Sequence, residues 1–255
     1  MCIDADNLRG LTELIARADL IVLAGHPSVG KTTLASKIVE DFALGTPNQD
    51  PCPVAVFSLE TKGESLMRRM FLHSARVAFH ELVSGKISAA EFGKIKEVAT
   101  AFQCAPIYIE DAVFDIMEIH ARARELTREF GIKFIVLDYL ELVSYAKHIK
   151  NGCQSTRMAV SHALIRMAKE LKVPILVLSQ LCSVPPAMNN ILKLTGLCDP
   201  NWIEQDVDIV MMLHRPRLDE KDRVAGVKSP AIVDILKNLH GPLGKWRLHL
   251  DYGVL

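Results

Sequence analysis

The most informative stretch of the chain reads Gly25-His26-Pro27-Ser28-Val29-Gly30-Lys31-Thr32. It directly follows the apolar run 20–24 and precedes residues 33–39, whose polar and apolar positions suit an amphipathic helix. A strand, a glycine-containing loop and a helix in this order fit the G-x-x-x-x-G-K-[ST] phosphate-binding pattern. The stretch therefore predicts a site for a nucleoside triphosphate.

The residue types of this loop are those that phosphate binding requires. Gly25 and Gly30 allow the backbone to turn tightly, so that N–H groups and the N-terminus of the next helix point at an anion. Lys31 supplies a positive charge for the β- and γ-phosphates, and the Thr32 hydroxyl suits coordination of Mg²⁺. The predicted nucleotide-binding residues are Gly25, His26, Pro27, Ser28, Val29, Gly30, Lys31, Thr32 and Thr33.

The composition is typical of a globular protein of one large domain. The chain has 255 residues, of which 49% are hydrophobic, enough to bury a sizeable core. It has 30 basic and 30 acidic residues, so no global basic field indicates a nucleic-acid partner and any such surface must be local. The N-terminus lacks the features of a secretory signal, and no apolar run has membrane-spanning length. We expect a cytoplasmic protein with no membrane partner.

Six cysteines stand at positions 2, 52, 104, 153, 182 and 198, without a C-x-x-C pair. No histidines cluster with them at zinc-binding spacing. We expect scattered, buried thiols in a reducing compartment.

Short apolar runs alternate with longer helical patterns along the chain. Strands are predicted at 20–24, 54–59, 107–109, 134–137, 175–179, 207–213, 231–236 and 246–250. Helices are predicted at 31–42, 63–75, 89–101, 116–130 and 155–171. Several strands are apolar throughout, as central strands covered by helices on both faces are, and turn residues at 236–244 predict a hairpin. The predicted class is α/β, with a mostly parallel central sheet flanked by helices and a C-terminal antiparallel hairpin.

Three polar residues end predicted strands. Glu60 follows the run 54–59, Asp138 follows 134–137, and Gln180 follows 175–179. In an open parallel sheet, ligands bind beyond the carboxyl ends of the strands, so these side chains are site candidates. Asp138 would hold Mg²⁺ as a Walker B carboxylate, Glu60 would accept a proton from the attacking water, and Gln180 would sense the γ-phosphate. The alternative for each is a capping or loop role at a strand end.

The ordered sequence blocks of the chain resemble the ATPase domain of DnaB-type replicative helicases. The blocks are GHPSVGKTT, VAVFSLE with Arg68-Arg69-Met70, FIVLDYLEL, AKELKVPILVLSQL, Ile203-Glu204-Gln205-Asp206-Val207-Asp208 and LKNLHGPLG. They cover residues 18–251, and DYLEL, LSQL and IEQDVD are more specific than the phosphate loop alone. The resemblance implies a RecA-like P-loop NTPase that forms a hexameric ring, binds ATP and Mg²⁺ between subunits, and moves 5′ to 3′ along single-stranded DNA.

The resemblance also implies roles for individual residues. Lys31 and Thr32 would hold phosphate and metal, and Glu60 would polarise the attacking water. Arg69 would reach the nucleotide, Asp138 would support Mg²⁺, and Gln180 would couple the γ-phosphate to the DNA-facing loop that follows it. In this family the strand before the final hairpin turn also supplies a Lys and an Arg to the neighbouring subunit's site.

The chain departs from the family pattern at this trans-acting pair. Its run is Lys237-Asn238-Leu239-His240-Gly241, so Lys237 is kept and Leu239 replaces the arginine finger. An arginine finger contributes a factor of about 10³ to 10⁵ in GTPase-type reactions, so hydrolysis is expected to be slow unless another residue substitutes. The neighbouring candidates for substitution are His240, Arg215, Arg217 and Arg223. The favoured alternative is that His240 is a solvated turn residue and that the arginines belong to a charged surface loop.

The DNA-facing segment departs as well. Residues 196–202 lack the family's charged run before IEQD, and Lys193 is the only cation between Cys182 and Trp202. Because DNA affinity depends on cationic contacts to phosphate, we expect weak or altered DNA binding. Trp202 could stack on a base or pack in the core.

Residues 1–17 are predicted to form a short N-terminal segment, with a helix at 7–18, and residues 18–255 to form the RecA-like domain. The helical N-terminal domain of the family is therefore expected to be absent. That domain helps to stabilise the ring and to receive primase in the family, and replication proteins are among the partners that the resemblance implies.

Two other functions fit part of the sequence. A degenerate RecA-like module would bind nucleotide and assemble with a replication partner without unwinding DNA, which Leu239 and the cation-poor segment favour. A small-metabolite kinase explains the phosphate loop and the metal carboxylate, but leaves LSQL and IEQDVD unexplained.

Overall fold

The computed structural model describes residues 5–46, 50–77, 79–85, 87–144, 153–181, 206–215 and 230–248. Helices and strands alternate through most of this part of the chain. The helices are α1 (Ala5–Ile15), α2 (Lys31–Leu44), α3 (Gly63–Ala75), α4 (Phe79–Ser84), α5 (Ala89–Cys104), α6 (Ile116–Phe130), a 3₁₀ turn (Leu140–Leu142) and α7 (Cys153–Leu171). The strands are β1 (Leu20–Gly25), β2 (Val54–Ser58), β3 (Ile107–Glu110), β4 (Phe134–Asp138), β5 (Ile175–Gln180), β6 (Ile209–His214), β7 (Ala231–Asn238) and β8 (Gly244–Leu248).

All eight of these strands join one sheet, in the order β3-β2-β4-β5-β1-β6-β7-β8. The pairs from β3 to β6 are parallel, and β7 and β8 pair antiparallel at one edge. Every residue of β1, β2 and β4 is buried, because helices cover both faces of the sheet. The predicted α/β class, the parallel sheet and the C-terminal hairpin are confirmed.

Local signals explain where α5 and α6 begin and end. Ser88 and Glu91 form a capping box at the start of α5. Asp115 caps α6 by accepting the Met117 N–H, and Gly131 ends that helix in the left-handed conformation at φ 67°. These caps are readable in the sequence, and the observed bounds of α6 equal the predicted ones.

The N-terminal helix α1 packs into the same core as the sheet. Leu8, Leu11 and Ile15 are at most 3% exposed and belong to the hydrophobic cluster of the β1–α2 face. Gly10 allows this packing, since a Cβ there would lie 2.4 Å from the Trp246 ring of β8. The predicted N-terminal helix is therefore present, at residues 5–15 instead of 7–18, and packs into this core.

The structure differs from the sequence-based predictions in two respects. The helix α4 and the 3₁₀ turn were not predicted, because six-residue and three-residue helices are too short to show helical periodicity. The expectation of buried thiols is wrong for Cys104, which is exposed, and Cys52 is only half-buried.

In the described part of the chain, no helix is long and apolar enough to cross a membrane.

Candidate nucleotide-binding site

The phosphate-type loop connects β1 to α2 at the carboxyl edge of the sheet. Gly25 lies so close to β6 that a Cβ would sit 2.7 Å from the Leu213 carbonyl oxygen, which explains why this position needs glycine. Gly30 precedes α2 with φ 108°, a left-handed conformation that disfavours side chains, and Ser28 also has a positive φ of 60°. The loop is thus shaped by close strand packing at one end and by backbone conformation at the other.

Lys31 begins α2 and turns back over the loop. Its Nζ donates hydrogen bonds to the carbonyl oxygens of Gly25 (2.9 Å) and His26 (3.0 Å). The residue is 8% exposed, and burial lowers its pKa. The charges of Glu141, Asp138 and Glu60 act against that shift. The lysine therefore lies at the loop mouth, with three carboxylates in electrostatic reach.

Thr32 and Asp138 meet although 106 residues separate them in sequence. The Thr32 hydroxyl donates to Asp138 Oδ2 at 2.9 Å. Asp138 is 3% exposed and adjoins a small pocket lined by apolar side chains that include Val56, Met70 and Val136. Burial raises its pKa to about 6, opposed by the Thr32 hydrogen bond and by the charges of Lys31 and Arg69.

The chemistry of this pair fits Mg²⁺. Magnesium prefers hard oxygen ligands and is usually held by one or two carboxylates together with phosphate and water. The Thr32 hydroxyl and the Asp138 carboxylate supply two such oxygens at the mouth of the loop. A cation there would also stabilise the ionised form of a carboxyl that burial alone disfavours.

Glu60 and Arg69 lie on the neighbouring β2–α3 segment. Glu60 is exposed in the turn after β2, which is held by the Leu59 N–H donating to the Asp138 carbonyl (2.7 Å) and by Ser58 Oγ donating to Thr61 O (2.6 Å). Its charge raises the pKa of Asp138, and that of Arg69 lowers it. Both predicted residues therefore lie within electrostatic reach of Asp138.

Gln180 ends β5 directly beside the loop. It is the register partner of Gly25, and the next residue, Leu181, donates its N–H to the Gly25 carbonyl at 3.3 Å. The predicted sensor residue and the phosphate loop thus share one edge of the sheet.

Glu141 belongs to the DYLEL block, but a role for it in the site was not predicted. One Glu141 oxygen, Oε1, accepts hydrogen bonds from Ser179 Oγ (2.7 Å) and the Gln180 N–H (2.8 Å). Glu141 is also the first of the carboxylates whose charges act to raise the pKa of Lys31. A polar residue three positions after a Walker B aspartate was the available signal.

The turn of the C-terminal hairpin lies at the end of the strands opposite the phosphate loop. Asn238 pairs with Ile209, and the Leu239 N–H donates to the Asp208 carbonyl at 3.0 Å. The Asp208 carboxylate in turn accepts the Leu20 N–H at the start of β1. At about 3.3 Å per residue, β1 places about 17 Å between this point and Gly25. Leu239 therefore lies away from the nucleotide loop of its own chain, whereas Lys237 lies level with Val22, about 10 Å along β1 from Gly25.

The candidate replacements for the arginine finger are divided between two places. Arg215 is half-buried just after β6, and His240 is exposed at the hairpin turn, where its N–H donates to Asn238 Oδ1. Arg217, Arg223, Lys193, Trp202 and the segment 196–202 lie outside the described residues, so their predicted roles stay predictions.

Strand order, phosphate loop and the Thr32–Asp138 pair together define a P-loop NTPase with a RecA-like core. Residues 4–254 match the family described as the DnaB-like helicase C-terminal domain. The chain belongs to this family.

Individual relatives agree with this assignment. The chain is 34% identical over 246 residues to the replicative DNA helicase DnaB of Geobacillus stearothermophilus, covering 95% of this chain and 52% of the relative. It is 33% identical over 243 residues to the replicative DNA helicase DnaC of Bacillus subtilis (strain 168), covering 92% of this chain and 52% of the relative. The chain thus spans about half the length of these curated relatives.

Solved structures show the same fold. One of them, an ATPase domain, superimposes with a TM-score of 0.80 and 25% identity, covering 96% of this chain and 86% of that one. A DnaB-like replicative helicase, studied for its interactions with primase, superimposes with the same TM-score and identity over 92% of this chain and 57% of that one.

Proposed function

We propose that the chain is the motor domain of a DnaB-like replicative helicase, which hydrolyses ATP with Mg²⁺ to move along single-stranded DNA and unwind duplex. The observation that carries the proposal is the 2.9 Å contact between Thr32 and the buried Asp138, at the same sheet edge as Lys31, Glu60 and Gln180. Phosphoryl transfer to water needs two oxygen ligands for the metal, a cation for the phosphates, a carboxylate for the attacking water and a polar group near the γ-phosphate. Thr32 with Asp138, Lys31, Glu60 and Gln180 would supply these in turn.

Each of these side chains has a distinct part in the proposed reaction. ATP bound with Mg²⁺ supplies the γ-phosphoryl group and the phosphate oxygens that complement Thr32 and Asp138. The loop from Gly25 to Thr33 cradles the phosphates, with Lys31 moving from the loop carbonyls to the phosphate oxygens. Glu60 polarises the attacking water, Arg69 contacts the nucleotide, and Gln180 orients the γ-phosphate.

The proposal includes an oligomer in which each subunit completes its neighbour's site. Lys237 pairs with Val210, level with Val22 and not with the loop at Gly25, and we assign it to the site of the adjacent subunit in a ring, which we propose to be hexameric. Single-stranded DNA is the proposed track, and a primase-type replication protein is a further proposed partner. Cytoplasmic localisation belongs to the same proposal.

The proposal is tested by ATP turnover with and without single-stranded DNA, on a preparation whose mass is measured by size-exclusion light scattering. We expect a ring-sized oligomer, DNA-stimulated turnover and 5′ to 3′ fork unwinding. Lys31→Ala should abolish turnover and unwinding, whereas Lys169→Ala, which replaces an exposed lysine on α7, should leave both unchanged. A folded ring whose turnover does not respond to DNA would exclude helicase activity.

A second candidate function rests on Leu239. This residue, at the arginine-finger position, is 62% exposed at the hairpin turn. A nucleotide-binding module that assembles with a replication partner without unwinding DNA would need the cis half of the site only. Calorimetric ATP binding combined with turnover at background would support this module, and robust hydrolysis would exclude it.

A further inference from the structure

Glu141 connects two parts of the site that the chain brings together only through the sheet. It lies on the 3₁₀ turn that follows β4, two residues beyond Tyr139 and three beyond the metal carboxylate. Its partners, Ser179 and Gln180, end the neighbouring strand β5. The Glu141 side chain therefore connects, by hydrogen bonds, the turn after Asp138 to the strand end that carries Gln180.

The hydrogen bonds of this connection are short, and both are accepted by one oxygen of Glu141. Glu141 Oε1 accepts from Ser179 Oγ at 2.7 Å and from the Gln180 N–H at 2.8 Å. Hydrogen bonds to a carboxylate are about twice as strong as neutral ones, and the donor Ser179 is 2% exposed, whereas Glu141 itself is exposed. The donors therefore fix the position of Glu141, and Glu141 fixes the backbone at the end of β5.

The same strand end is tied to the phosphate loop. The Leu181 N–H donates to the Gly25 carbonyl, which also accepts from Lys31 Nζ at 2.9 Å. A continuous series of contacts thus runs from Glu141 through Gln180, Leu181 and Gly25 to Lys31. A shift of the Gln180 backbone would change where its side chain meets a γ-phosphate without changing the loop that binds the nucleotide.

We propose that Glu141 is a positioning residue for hydrolysis, which holds the Gln180 backbone in register with the phosphate loop through its Oε1 acceptor. This inference rests on the proposed function, since it assigns Glu141 a part in that reaction. The two hydrogen bonds require an acceptor oxygen at this place, which either a carboxylate or an amide supplies. Glu141→Gln keeps an oxygen at the same place, whereas Glu141→Ala leaves two donors without it.

The kinetic test compares these variants with Glu97→Ala, which removes an exposed carboxylate on α5. We expect Glu141→Ala to lower kcat at least about tenfold with less than about threefold change in KM for ATP, because misplacement of an orienting group acts on the chemical step. Glu141→Gln and Glu97→Ala should stay within about threefold of the wild type. In a Gln180→Ala background, Glu141→Ala should have no further effect on kcat, because Glu141 acts through Gln180.

Amide hydrogen exchange provides a readout that does not depend on turnover. The Gln180 and Leu181 amides should exchange at least about tenfold faster in Glu141→Ala than in the wild type, and at wild-type rates in Glu141→Gln. If the wild type shows no ATPase but this exchange pattern holds, the proposed function fails while the positioning contact stands. The inference would be overturned if Glu141→Ala changed neither the exchange rates nor kcat. It would also be overturned if the losses in kcat from Glu141→Ala and Gln180→Ala multiplied in the double variant, or if Glu141→Gln lowered kcat as much as Glu141→Ala.

Discussion

The ionised side chain of Asp138 is predicted to lower the stability of the metal-free protein. Burial raises the pKa of Asp138 to about 6, whereas an aspartate in an unfolded chain has a pKa of about 3.9. At neutral pH the folded protein must ionise this carboxyl against a shift of about two units, which costs up to about 3 kcal/mol. Asp138→Asn keeps an oxygen for the Thr32 hydroxyl and removes the charge, so we expect it to stabilise the metal-free protein by up to that amount.

The expected gain depends on pH in a direction that follows from the raised pKa. Because the folded pKa exceeds the unfolded one, the cost is fully present above about pH 6 and disappears as the pH falls below about 4. The difference in unfolding free energy between variant and wild type should fall from about 3 kcal/mol at pH 7.5 to about half of that at pH 5. For a domain of this size, 3 kcal/mol corresponds to about 6–12 °C in Tm.

The assay is urea and thermal denaturation in EDTA between pH 5 and 8, repeated with ATP and Mg²⁺. Asp41→Asn is the matched control, since burial also raises the pKa of Asp41 to about 6 but this residue lies outside the site. Both variants should gain stability in EDTA, while only Asp41→Asn should retain the extra stabilisation by bound ATP and Mg²⁺. The reasoning is refuted if Asp138→Asn is no more stable than the wild type at pH 7.5, or if its gain does not shrink at pH 5.

Two further predictions concern the hairpin and the loop. Leu239→Arg should change the free energy of unfolding by less than about 0.5 kcal/mol, because the side chain is 62% exposed. It should raise kcat of ATP hydrolysis at least about tenfold, because it restores an arginine finger. An unchanged kcat in a ring of confirmed mass, or an equal rise in kcat with Leu239→Ala, would contradict this. Gly25→Ala should destabilise the protein by about 1–3 kcal/mol in urea denaturation and weaken ATP binding, because its Cβ would lie 2.7 Å from the Leu213 carbonyl oxygen. Gly93→Ala, whose Cβ meets nothing within 4 Å, should instead stabilise α5 by about 0.5–1 kcal/mol, and loss of stability in that control would show that glycine replacement itself is harmful.

Much of the fold could be predicted because its signals are local. The bounds of α3 and α6 were predicted to the residue, since helical periodicity runs through both and Asp115 and Gly131 cap α6. The uniformly buried strands β1, β2 and β4 were recognised from their continuous apolar runs. The one-turn 3₁₀ helix that carries Glu141 was missed, because three residues contain no period to detect.

The sequence alone determined the phosphate loop, the α/β class and the family, because each depends on residues adjacent in the chain or on ordered blocks. Lys31, Thr32 and the two glycines are recognisable by spacing, since the backbone around a phosphate is built from one short segment. Only the tertiary structure decided which distant groups meet. Parallel pairing of β1, β4 and β5 brings Thr32 to Asp138 and Glu141 to Gln180. Antiparallel pairing of β7 with β6 places Leu239 at the end of the strands opposite the phosphate loop. Strand order and register set these distances, and neither is written in any single segment of the chain.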